Sequence, residues 1–233
     1  MMKPIKFITS FSGDKDSMLA LDRMIAQGHH CLGLLVSTND DHGSWFHDVD
    51  IALLNDLAKK LGMNILHARI RQAYYNDMFE TYLSDMKSDL AFEAVVFGDI
   101  DIIEHRMWCE ARCQMVGVKA LFPLWQEDRE LLVREFINKG YKALLKRVNK
   151  NYLDQSFLKR TLDLDMIEEF KVLGIDVCGE NGEYHTLVYD GPLFLEPLDY
   201  QVDEIIESEN CFSLKIYPQL YKKRINKRTT NFS

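Results

Sequence analysis

The chain has 233 residues, 47% of them hydrophobic, enough to build one large domain or two small ones. Its net charge of −8 disfavours a broad electrostatic grip on nucleic acid. No apolar run approaches the length a bilayer span requires, which leaves no membrane role to consider.

The first half alternates strand and helix. Pro4–Thr9 reads as a short apolar strand that runs into a polar loop, Ser10–Lys15. An amphipathic helix follows, with Met18, Leu19, Leu21, Met24 and Ile25 able to face a core. Cys31–Ser37 is a continuous apolar run, as expected of a strand buried on both faces. Asp50–Leu61 has helical spacing, Asn64–Ala68 is a short strand and Gln72–Leu90 a long helix. Ala94–Phe97 reads as another buried strand, Asp101–Val116 as a helix closed by Gly117, and Lys119–Phe122 as a fifth short strand. This order predicts an α/β fold with a doubly wound parallel sheet, whose ligands lie beyond the carboxyl ends of the strands.

Pro123-Leu124-Trp125 punctuates the chain, and the pattern then changes. Glu130–Lys139 and Asp165–Leu173 are helical, while Tyr141–Val148, Tyr184–Tyr189 and Phe212–Tyr217 are strand-like. The expected division is a nucleotide-binding domain over 1–125, a smaller α+β domain over 126–220 and a basic tail over 221–233. In that tail Lys222, Lys223, Arg224, Lys227 and Arg228 read as a solvated chain end, with an RNA contact as the sharper alternative.

The five cysteines, Cys31, Cys109, Cys113, Cys178 and Cys211, are odd in number and scattered, which argues against a disulfide framework and fits a reducing compartment. Cys109 and Cys113 share a helical face, and without a second pair they read as ordinary partly buried thiols. The N-terminus MMKPIKFITSFSG has no A-x-A-like cleavage site, so the simplest expectation is a cytoplasmic protein.

Three stretches carry chemistry. Phe7–Leu21, FITSFSGDKDSMLAL, presents hydroxyls, a glycine and backbone N–H groups at the positive end of a helix, a turn suited to phosphate. It is neither a Walker loop nor a dinucleotide fingerprint, and its plain reading is a helix start capped by Ser12 or Asp14. In Val96–Trp125, Asp99 ends a central strand and His105, Arg106, Trp108, Glu110 and Arg112 crowd the next helix. There the bland account is a solvated helix with Glu104/Trp108/Arg112 and Glu110/Gln114 as i,i+4 partners, although an Arg one turn in could reach a phosphate. In Gly174–Phe194, Asn181-Gly182 is a hairpin signal that leaves Glu180, Glu183, His185 and Thr186 clustered without a structural purpose.

Ser12-Gly13-x-x-Asp16-Ser17 resembles the S-G-G-x-D-S pyrophosphate loop of the N-type ATP pyrophosphatases, with Asp14 where that family has its second glycine. Together with Trp45-Phe46-His47, Gly98-Asp99, His105-Arg106, Pro123-Leu124-Trp125 and the G-E-x-G-E-[YFH]-x-T-L-V-x-D-G-P stretch at Gly179–Pro192, it is similar in order and spacing to the diphthine–ammonia ligase family over residues 3–195. His185 stands where that family carries a Glu.

The resemblance implies an adenine-nucleotide α-hydrolase-like fold and an ATP-dependent amide ligase. A carboxylate is adenylated with loss of pyrophosphate, and ammonia then displaces AMP. On this likeness Ser12, Gly13, Asp14, Lys15, Asp16 and Ser17 surround the phosphates, with Mg²⁺ at Asp16, while Ser37 lies near the adenine and Gly98 and Asp99 near the ribose or α-phosphate. His105, Arg106, Glu180, Glu183, His185 and Thr186 line the acceptor side. Lys15 and Asp16 would act on the departing pyrophosphate, and Glu180 and Glu183 on the incoming nitrogen. With no glutaminase module in the sequence, ammonium is the expected nitrogen source, and the acceptor in the family's best-known setting is diphthine on translation elongation factor 2. Self-association stays open. The alternatives are a tRNA-modifying N-type pyrophosphatase, or a nucleotide-binding module in which Asp14 impairs catalysis.

Overall fold

The computed structural model describes residues 3–39, 43–44 and 49–219. The Trp45-Phe46-His47 segment and the basic tail of the sequence lie outside the described residues.

The first half follows the alternating pattern. It runs β1 (Lys6–Ser10), α1 (Lys15–Ala26), β2 (His30–Asn39), β3 (Gly43–Ser44), α2 (Ile51–Lys60), β4 (Ile65–Ile70), α3 (Tyr75–Leu90), β5 (Ala94–Val96), α4 (Ile103–Val116) and β6 (Lys119–Leu121). Gln72–Tyr74, expected as the start of the long helix, forms a separate 3₁₀ turn. Gly117 ends α4 in the left-handed conformation, as its position predicted.

Five strands pair in parallel in the order β4-β2-β1-β5-β6, and β3 adds antiparallel to β2. Successive residues explain the double winding, because strand side chains alternate between faces. Phe7, Leu34, Val36 and Ala94 pack with α1 and α2, whereas Ile8, Leu35 and Val95 pack with α3 and α4. The chain leaves β1 toward β2 and β4, then returns to add β5 and β6 on the other side. The strand order therefore reverses between β1 and β5, and the crevice at their carboxyl ends is the expected ligand position.

The second half comprises α5 (Arg129–Asn138), β7 (Lys142–Asn149), α6 (Leu164–Leu173), β8 (Tyr184–Asp190), β9 (Tyr200–Glu207) and β10 (Cys211–Pro218). Its sheet is antiparallel in the order β8-β7-β10-β9. The strand β9 was not anticipated from the sequence. Its residues alternate weakly and are mostly exposed or half-buried, as befits a sheet edge. The Asn181-Gly182 turn does not close a hairpin either. Among the described residues the element that leads into it is the helix α6, and the partner of β8 is β7.

The two sheets share a core. Met18 and Leu21 of α1, Leu54 and Leu57 of α2, Leu144 of β7 and Leu187 of β8 belong to one buried cluster. Polar ties reinforce it: Tyr141 Oη donates to Asp22 Oδ1 at 2.8 Å, and Arg23 pairs with Glu127 at 2.6 Å and also with Glu135.

Candidate functional site

The loop after β1 reaches α1 through Gly13, whose φ of +79° is a left-handed conformation that glycine adopts without strain. Asp14 then caps α1: it is extended (φ −88°, ψ 177°) and its Oδ1 accepts from Ser17 N at 2.9 Å. The residue that departs from the family pattern thus needs no left-handed backbone. Its carboxylate instead occupies the helix N-terminus, where an external anion would sit.

Strand β8 holds this loop from the other half of the molecule. Gly13 C=O accepts from Val188 N at 2.9 Å, and Lys15 N donates to Thr186 Oγ1 at 3.1 Å. Ser12 and Ser17 hydroxyls lie 3.2 Å apart at the loop's base. The loop after β5 closes the other wall. A Cβ on Gly98 would stand 2.8 Å from Ser17 N and 2.9 Å from the Asp16 carbonyl carbon, so only glycine permits this approach. The expected ligand-contacting Gly98 is thereby also a packing residue.

Behind the loop lies a buried charged cluster. Lys15, 5% exposed, turns its Nζ to Asp16 Oδ2 at 2.5 Å, with Glu180 Oε1 at 3.9 Å and the Tyr184 ring centre at 5.7 Å. Cys178 Sγ lies 3.9 Å from Asp16 Oδ1. Burial raises Asp16 to about 6 despite the Lys15 charge. Burial, with the Asp16 carboxylate adding to it, pushes Glu180 up to about 8. Burial works against the ammonium of Lys15, yet Asp16 and its neighbours outweigh it and hold the group well above its usual range. The Cys178 thiol is pushed well up by burial, which Lys15 offsets only in part. Among the described residues, Asp16, Cys178 and Glu180 form a group whose ligand atoms lie within 4.8 Å of one another.

Several expected site residues take other positions. Glu183 is buried, and its carboxylate accepts from Asp176 N at 3.2 Å, Asn181 N at 3.0 Å and Asn181 Nδ2 at 3.2 Å. It organises the turn. His185 lies between Tyr184 and Thr186 on β8, so strand alternation sends it to the opposite face, across from Arg147. Arg106 pairs with Glu110 at 2.7 Å and stacks over the Trp125 and Phe122 rings at 4.6 and 5.2 Å. Trp108 and Arg112 reach across to α3, to Asn76 at 2.8 Å and Glu80 at 2.8 Å, instead of pairing along α4.

Asp99 lies in the loop after β5 beside His105, Oδ1 to Nδ1 3.3 Å, and burial raises its carboxyl with Asp14 adding to the shift. Ser37 stands in the carboxyl half of β2, opposite Ala68, next to the Tyr75 hydroxyl. Cys109 and Cys113 are buried thiols, as expected. Arg129, at the start of α5, was missed because nothing in a one-dimensional helical pattern distinguishes it. It pairs with Asp101 of the first half and Asp176 of the second.

Fold and site together define an α/β protein with a glycine-containing loop opening a helix at the switch point and a charged, partly buried centre beneath it. The matching family profiles are the diphthamide synthase N-terminal domain over residues 5–120 and the diphthamide synthase C-terminal domain over 128–214. The chain belongs to the diphthamide synthase family. A Rattus norvegicus relative named diphthine–ammonia ligase is 27% identical over 90% of this chain and 88% of its own. The Homo sapiens protein of that name is 27% identical over 95% and 96%. A Schizosaccharomyces pombe relative, also so named, is 26% identical over 89% of this chain and 38% of its own longer one. A solved structure from Methanocaldococcus jannaschii, described as a predicted subunit of tRNA methyltransferase, covers 82% of this chain at 14% identity with a TM-score of 0.44, too loose a likeness to bear on function.

Proposed function

We propose that this protein is an ATP-dependent amide ligase that adenylates a carboxylate of the diphthine type on a protein and transfers ammonia to it. The observation that carries this reading is the convergence of two segments more than half the chain apart. The loop at Ser12–Ser17 and the turn bearing Glu180 meet at Lys15, 3.9 Å from Glu180, and β8 bonds directly to the loop. Relatives over both halves are named for this reaction.

The residues fit the groups the reaction needs. The Asp14 carboxylate caps the helix at Ser17 N, and a nucleotide phosphate would compete with it for that N–H. An oxygen ligand suits Mg²⁺, which Asp16 would hold, whereas the protonated Cys178 thiol would not serve. When bound, the ion would neutralise charge on the phosphates. Lys15 stabilises negative charge as pyrophosphate leaves. In its ionised form Glu180, whose carboxyl burial pushes up to about 8, would accept a proton from the nitrogen as the C–N bond forms and the C–O bond to AMP breaks. Glu183 and Asp176 fix the turn that carries it.

A second reading, a nucleotide-binding module with impaired catalysis, is favoured by the Asp14 carboxylate standing in the anion position. A tRNA-thiolating activity gains no support from Cys178, whose thiol stays protonated. The experiment is an assay of AMP and pyrophosphate release with ammonium, comparing diphthine-bearing elongation factor 2 with a panel of small carboxylates. Ammonium-dependent AMP formation with the modified factor is expected. ATP binding with no AMP from any acceptor would favour the module.

A further inference from the structure

We propose that Arg129 is a positioning residue for the amide-forming step, acting through Asp176 to fix Glu180 over the nucleotide loop. The proposal rests on the ligase reading above and adds to it a residue from neither the phosphate loop nor the Glu180 turn.

The guanidinium joins the two halves of the site. Its Nε and Nη2 donate to the two oxygens of Asp101, each at 2.8 Å, in a bidentate pair. Its Nη1 donates to Asp176 Oδ2 at 2.6 Å and reaches Asn181 Oδ1 at 3.5 Å. Asp101 belongs to the loop after β5 that carries Asp99 and Gly98. Asp176 begins the turn that carries Glu180, and there its carboxylate does further work: Oδ2 accepts from Glu180 N at 2.9 Å and Oδ1 from Cys178 N at 3.1 Å. One carboxylate therefore stands between Arg129 and the Glu180 backbone. From the far side, Glu183 accepts the Asp176 and Asn181 amides, so the turn is held from both directions.

The chemistry explains why the residue is arginine. Three acceptors in two segments are met by one planar fork, and an ammonium on a flexible stem cannot span them in fixed geometry. The pairs are only partly exposed, 27% for the Arg129 side chain and 10% for Asp176, so water competes less than at an open surface. With the loop after β5 already pressed on α1 at Gly98, Arg129 completes a closed path from the phosphate loop to Glu180.

The test compares Arg129→Met and Arg129→Lys with the wild-type chain by steady-state kinetics and by amide hydrogen exchange over residues 174–184. For Arg129→Met the expected result is a fall in kcat of about tenfold to a hundredfold, the cost of misplacing a reacting group by about 1 Å, with KM for ATP held within about twofold. The Glu180 amide should exchange at least about tenfold faster, and Arg129→Lys should recover part of both losses. An unchanged kcat, or a KM for ATP that rises as much as kcat falls, would overturn the proposal, as would unaltered exchange at Glu180. If Arg129→Met fails to fold, Asp101→Asn releases the same clamp from its other end and is expected to shift kcat and exchange in the same direction. An inactive wild-type chain would count against the ligase reading, while the exchange measurement would still decide whether Arg129 holds the turn.

Discussion

Asp14 and the pair Glu180 and Glu183 show how far one residue's role depends on where its hydrogen bonds go. The sequence marks Asp14 as a charge placed beside phosphates, and its position in a loop was enough to see that. Its capping bond to Ser17 N needed coordinates, because Ser12 was an equally good cap by residue type. The bond puts Asp14 in competition with a phosphate for one N–H. Asp14→Gly is therefore expected to tighten ATP binding by about tenfold, near the worth of one charge-assisted hydrogen bond, as read by calorimetric titration. Affinity that stays level would show that Asp14 does not compete. The two glutamates look alike in the sequence, three positions apart in one motif, but only Glu180 faces Lys15. Glu180→Gln should lower amide formation by about 10²- to 10⁴-fold while ATP still binds. Glu183→Gln should instead cost about 1.5–3 kcal/mol of stability through weakened bonds to the turn, visible in denaturant unfolding.

At the scale of elements, the alternating half of the chain was legible because its signals are local. Buried strands such as Leu34–Val36 read as apolar runs, α1 and α2 carry their apolar faces at helical spacing, and Gly117 marks a helix end. The strand β9 was hidden because its exposed edge position imposes little alternation, and the Asn181-Gly182 hairpin failed because the turn serves Glu183 and Asp176 rather than a strand pair. Contacts between elements were not legible at all. No local pattern tells that Gly98 must lie against the backbone of α1, or that Thr186 bonds to Lys15 N. Gly98→Ala places a methyl group against backbone that cannot step aside, and should cost about 1–3 kcal/mol together with loss of ATP binding. Wild-type melting temperature and affinity in that variant would show the packing to be yielding.

Across the whole molecule, the site exists because two sheets share one core and press the charged centre of each half against the other. That burial has a thermodynamic consequence. Burial pushes the folded carboxyls of Asp16 and Glu180 up to about 6 and about 8, above their ordinary values of 3.8 and 4.5. The folded state then binds more protons than the unfolded chain over this range, so stability falls as pH rises through it. The ligand-free protein is expected to melt at a lower temperature at pH 8 than at pH 5, and Glu180→Gln should flatten that slope. A melting temperature that rises over the interval would contradict the assigned burial. Among the described residues no helix is long and apolar enough to cross a membrane. The most direct test of the central claim, that this crevice adenylates a carboxylate, follows oxygen. With diphthine-bearing elongation factor 2 labelled with ¹⁸O in the acceptor carboxylate, ammonium and ATP should yield AMP carrying one ¹⁸O atom. Amide product accompanied by unlabelled AMP, or by ADP and labelled phosphate, would contradict it.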